Sequence, residues 1–130
     1  MSEDPRIALV ERAFRNFNES DLQGIVDFID PAVRTHVAEG LINIGDWEGW
    51  AGFVEMSQGW NDVWGEVNYV LTGLELLDET NMLASVHQEA TGAGSGVPVE
   101  LDVVYLIEIV DARAVRFEVH PSRESALSRV

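Results

Sequence analysis

The sequence predicts an α+β domain in which three N-terminal helices pack on a strongly curved, mainly antiparallel sheet. Three observations predict it. Apolar residues recur at helical spacing through the first half of the chain. The second half changes to runs that alternate with a period of two. Helices come first and strands after, without the βαβ alternation of a parallel sheet. A chain of 130 residues is one domain's worth, and the reading is a single domain over 1–130.

The elements follow in order. Pro5 suits a first helical turn, with Asp4 as its cap, and Ile7, Val10, Phe14 and Phe17 form the apolar stripe of a helix reaching Asn18. Ser20 or Asp21 caps a short second helix with Leu22, Ile25, Val26 and Ile29 on one face. Asp30-Pro31 stops it, because the residue before a proline is driven out of helical geometry. A short extended piece runs from Val33 to Val37, and 40–49 reads as loop. A third helix starts near Glu48 and ends at Gly65, with Trp50, Phe53, Val54, Ser57, Trp60 and Trp64 on one stripe. Strands are predicted at 67–77, 82–91, 97–110 and 114–120, with Asp111-Ala112 turning between the last two. Gly92-Ala93-Gly94-Ser95-Gly96 lies between two strand-like runs and reads as a hairpin turn, not a phosphate loop.

Composition narrows the function. The net charge is −15, and all eight basic residues are arginine. A field of that sign repels phosphate backbones and anionic lipid, so nucleic acid and membranes are not expected partners. With no cysteine there is no disulfide, thiolate nucleophile or thiolate-bound metal. With no lysine there is no Schiff base. His36, His87 and His120 fall on separate elements without ligand-like spacing, so no metal site is expected. The N-terminus has no apolar run of a secretory signal, and no stretch approaches the roughly 18 apolar residues of a membrane span, so the expected location is cytoplasmic.

Several segments, in a shared order, carry a resemblance. They are Phe17 to Val26 at the first helix junction, Asp30-Pro31-Ala32-Val33, and Gly45-Asp46-Trp47-Glu48-Gly49 before the third helix. Trp60-Asn61-Asp62-Val63-Trp64, the stretch from Gly92 to Glu100, and Ser122 to Leu127 complete the set. Together they resemble the SnoaL-like families of the nuclear-transport-factor-2-like superfamily, across nearly the whole chain. The resemblance implies a cystatin-like α+β cone enclosing a pocket, and often a homodimer. Its relatives include ketosteroid isomerases, polyketide cyclases and small epoxide hydrolases, so it implies no single reaction.

Candidate site residues follow from both lines. By resemblance to ketosteroid isomerases, and with a one-residue gap, His36 stands where they carry their base aspartate, and an imidazole there could move a proton near neutral pH. Arg34 shares its strand parity and could bind a carboxylate. On the 97–110 run, Leu101, Val103, Tyr105, Ile107 and Ile109 form the more consistently apolar set, which should face the helices. Tyr105 brings a hydroxyl to that face, near where the isomerases hold an oxyanion donor. Their first-helix tyrosine corresponds to Ala13, so the usual isomerase set is incomplete. Asp102 is the cyclase-style carboxylate, and reaches the pocket only if the register slips by one. Trp50, Phe53, Trp60, Trp64, Val103, Ile107, Phe117 and Val119 are expected to line the pocket; Arg116, Glu118, His120 and His87 should face away.

Three functions compete at this point. One is cofactor-free isomerase or cyclase-type proton transfer on a small apolar carbonyl compound. The second is binding of a small apolar molecule without catalysis. The third is a dimerisation module, suggested by the apolar Val104 and Leu106 on the outer sheet face.

Overall fold

The computed structural model describes residues 4–91 and 96–130. Helix α1 (Pro5–Glu19) begins where the Asp4 carboxylate accepts the Arg6 backbone N–H, and Ser20 closes it in the left-handed region. Asp21 caps α2 (Leu22–Phe28) by accepting from the Gly24 N–H. The chain then enters β1 (Ile29–Val37). The 40–49 stretch expected as loop contains a four-residue strand, β2 (Gly45–Glu48), paired antiparallel with β1. Helix α3 (Gly49–Trp64) ends at Gly65, whose φ of 76° would strain any side chain. Strands β3 (Val67–Leu76), β4 (Asn81–Ala90), β5 (Val99–Val110) and β6 (Arg113–His120) follow within a residue or two of their predicted bounds. A short α4 (Arg123–Leu127) closes the chain on a Ser122 cap. The hairpin turn expected at Gly92–Gly96 falls, for its first four residues, outside the described residues.

The six strands form one curled, open sheet in the order β2-β1-β6-β5-β4-β3. Every neighbouring pair is antiparallel except β1 with β6, which run parallel. Laterally paired residues point to the same face, so the register assigns each side chain. Val37, Val119, Tyr105 and Ala84 share one row, and Thr35, Phe117, Ile107 and Met82 another. These rows make the inner face, on which α1 and α3 lie. Val10, Phe14, Val33, Val86, Val103 and Ile107 are buried there. Each such side chain contributes about 2 kcal/mol relative to exposure. Gly52 lets α3 approach β2: a Cβ on it would stand 2.9 Å from the Trp47 Cβ.

The outer face has its own cover. Leu83 and Leu106 pack with Ala126 of α4, and Val104 and Leu127 flank them. Of the two apolar outer residues that suggested a dimer contact, Leu106 is covered by the chain's own last helix and Val104 is partly exposed. Among the described residues, no helix is long and apolar enough to cross a membrane.

Candidate functional site: a cavity on the inner sheet face

An open cavity of about 570 Å³ lies between the helices and the inner face. The end of α1 supplies Phe17, α2 supplies Ile25, α3 supplies Trp50, Phe53 and Trp60, and β6 supplies Phe117 and Val119. The rings interlock: Trp50 stacks on Phe53 at 5.6 Å between centroids, and Phe53 meets Phe117 edge-on at 5.9 Å. Asn18, Ser57, Gln58 and Asn61 add polar groups to the wall, and Glu66, which is exposed, is its one carboxylate among the described residues.

Two phenols reach the cavity. Tyr105 projects from the middle of β5, 4 % exposed, with Phe14 and Phe117 each 5.1 Å away. Its hydroxyl donates to Gln88 Oε1 at 3.4 Å, and the same oxygen accepts the Trp60 indole N–H at 3.0 Å. Burial, and then the neighbouring Tyr69, push the Tyr105 phenol well above its usual range. Tyr69, on β3, is half-buried, and its hydroxyl has no hydrogen-bond partner among the described residues. Burial raises its pKa to about 12. Both phenols therefore stay protonated at neutral pH.

The structure separates the expected site residues. Trp50, Phe53, Trp60, Tyr105, Phe117 and Val119 come together around the cavity. Val103 and Ile107 share its sheet face but are packed solid, at 2 % and 0 % exposure, and do not form its wall. Trp64 sits beside Trp60 at 5.9 Å but borders a separate small void with Gln88 and Leu101. Its indole N–H is buried without a partner among the described residues.

His36, Arg34 and Asp102 do not belong to the cavity. His36 pairs laterally with Glu118, and Glu118 with Leu106, which puts the imidazole on the outer face, opposite Tyr105. There its Nδ1 lies 2.8 Å from Asp46 Oδ1. Arg34 has the same parity and is exposed. Asp102 pairs with His87 on the outer face, where carboxylate and imidazole Nδ1 are 2.7 Å apart. The physical reason is the two-residue period: Val33, Thr35 and Val37 take the inward positions of β1 and leave the outward ones to Arg34 and His36.

The outer face also buries charge. Glu118 and His120 are 2 % and 0 % exposed beneath α4. Glu118 binds His120 Nε2 at 2.8 Å, Arg116 Nε at 2.7 Å and Arg129 at 3.1 Å. His120 Nδ1 meets Ser125 Oγ at 2.7 Å. Arg116 donates to the Arg129 carbonyl at 2.6 Å. This network fastens the C-terminal segment to the sheet. Among the described residues, no group of three or more histidines and carboxylates is arranged to hold a metal ion.

Tyr69 and Gln88 escape the sequence reading, although a signal exists for each. Tyr69 follows Val67 and precedes Leu71 at a period of two. Gln88 is the polar member of the inward set Met82, Ala84, Val86 and Ala90.

No family model matches the sequence, and no curated protein matches it. Solved structures do match. An NTF2-like protein of unknown function from Burkholderia pseudomallei superposes with a TM-score of 0.79 at 18 % identity, covering 91 % of each chain. The chain has the nuclear-transport-factor-2-like fold. TerC, in a crystal structure with polyporic acid, has this fold at a TM-score of 0.79 and 21 % identity, over 95 % of this chain and 99 % of that one. The epoxide hydrolase/cyclase-like enzyme SalBIII, named for pyran ring formation in salinomycin, has it at 0.74 and 17 %, over 93 % of each chain. In the nuclear-transport-factor-2-like fold of this chain, the cavity occupies the hollow between the curled sheet and its helices.

Proposed function

We propose that the protein binds a small, uncharged, largely apolar ring compound in the inner-face cavity, as a non-catalytic or accessory member of the SnoaL-like group that its sequence resembles. The observation carrying this reading is the chemistry of the wall. Aromatic rings and two neutral phenols surround a space of about 570 Å³, and no arginine or histidine borders it among the described residues. Such a wall favours flat apolar ligands and offers nothing to neutralise an anion. Titration of the protein with uncharged two- to four-ring compounds, read by calorimetry, tests it. Saturable binding is expected, and Ser57→Trp, which places an indole in the cavity, should abolish it. Saturable binding by none of the compounds, or binding untouched by the plug, overturns the reading.

A second reading is cofactor-free isomerase or cyclase-type proton transfer. The support for it is the fold shared with a cyclase-like enzyme and the hydroxyl of Tyr69, unpartnered among the described residues. With His36 on the far face, a base would have to be Glu66, the wall's one carboxylate among the described residues. Turnover of a cyclisable or enolisable ketone that disappears in Glu66→Gln would favour this reading over simple binding.

A further inference from the structure

Resting on the binding reading above, we infer that the ligand is a hydroxylated ring compound whose hydroxyl donates to Tyr105 while a neighbouring carbonyl or ether oxygen accepts from Tyr69. The argument is one of hydrogen-bond polarity. The Trp60 indole N–H can only donate. Lying 3.0 Å from Gln88, it fixes the amide with Oε1 towards itself, because the flipped amide would set donor against donor. The oxygen so placed also faces Tyr105. A phenol that stays protonated carries one hydrogen, and Tyr105 gives it to Gln88. What Tyr105 then presents to the cavity is a lone pair. This reverses the role expected by analogy with an oxyanion donor.

Tyr69 has the opposite polarity. Its hydroxyl is uncommitted among the described residues, so it can donate to a ligand oxygen. Tyr69 and Tyr105 both border the cavity, and both rings pack on Phe14, at 6.1 and 5.1 Å between centroids, so one ring system can meet both. Gln88 touches no ligand in this scheme. It is a positioning residue that sets which way the Tyr105 proton points.

Calorimetry with 2-naphthol, its methyl ether and 2-acetylnaphthalene tests the inference, using the wild type, Tyr105→Phe and Gln88→Met. The wild type should bind 2-naphthol about fivefold more tightly than the ether, the effect of one hydrogen bond. Tyr105→Phe should bring that ratio close to one. Gln88→Met frees the Tyr105 proton, so binding of 2-acetylnaphthalene should strengthen relative to 2-naphthol. Equal binding of naphthol and ether to the wild type overturns the polarity assignment and leaves the cavity reading intact. A naphthol preference that survives Tyr105→Phe overturns it as well. If none of the three probes binds saturably to the wild type, the cavity reading fails and this inference fails with it.

Discussion

Glu118 offers the sharpest test of how the outer face holds α4. The carboxylate is 2 % exposed, so burial alone would push its pKa up. Hydrogen bonds from His120, Arg129 and Arg116 outweigh burial and hold it at about 2, against an ordinary 4.5. A folded-state pKa below the unfolded one means that the unfolded chain binds the proton more readily. The stabilisation is therefore complete above about pH 4.5 and lost as the pH falls towards 2. The difference corresponds to about 3 kcal/mol at neutral pH. Glu118→Gln removes the charge and leaves two arginines beside a neutral amide, so it should cost about that amount. Urea unfolding followed by tryptophan fluorescence at pH 7 and pH 3 measures it. The gap between wild type and variant should shrink by more than half at the lower pH. A gap under about 1 kcal/mol at pH 7, or one of equal size at both pH values, would refute the reasoning.

Three other predictions follow from the same geometry. His36→Ala should leave ligand affinity within twofold of wild type and destabilise by no more than about 1 kcal/mol, because its ion-pair partner Asp46 is 74 % exposed; a tenfold affinity loss by calorimetry would return His36 to the site. Trp60→Phe should cost about 1–3 kcal/mol in urea unfolding, since it strips Gln88 Oε1 of its shorter hydrogen bond; an unchanged midpoint would contradict that role. Tyr69 and Tyr105 are the chain's only tyrosines, so ultraviolet difference absorbance reads them directly. No phenolate should appear in the folded protein before about pH 12, and stability should fall as the pH rises from the ordinary 10 towards 12; a phenolate forming near pH 10 without unfolding would contradict the burial of both rings.

Much of the fold is legible in the residues, for identifiable reasons. The stripe from Trp50 to Trp64 and the alternation from Leu101 to Ile109 state their elements and their buried faces, and Tyr105 lies on the face its strand implies. The alternation also puts His87 outward, as observed. His36 is among the expected site residues that lie outside the cavity, with Arg34 on the same strand. Its strand has its own period, with Val33 and Val37 inward, and that period places the imidazole outside; the resemblance to isomerases points the other way. Strand β2 is illegible because four residues of glycine, aspartate, tryptophan and glutamate carry no β pattern, and only pairing with β1 makes them a strand. The burial of Glu118 and His120 is hidden for a similar reason. Their outward parity suggests solvent, and only the return of α4 across the sheet covers them. Residue patterns along a strand report which face a side chain takes, but not what else in the chain comes to cover that face.

The cavity assignment is tested most directly by the four indole N–H signals of the ¹⁵N spectrum, recorded with and without saturating 2-naphthol. Trp50 and Trp60 border the cavity, whereas Trp47 and Trp64 do not. The predicted result is large shifts for the Trp50 and Trp60 indoles, with the imidazole signals of His36 and His87 unmoved. Shifts centred on the two histidines, with the Trp50 and Trp60 indoles unchanged, would place the ligand on the other face of the sheet and contradict the account.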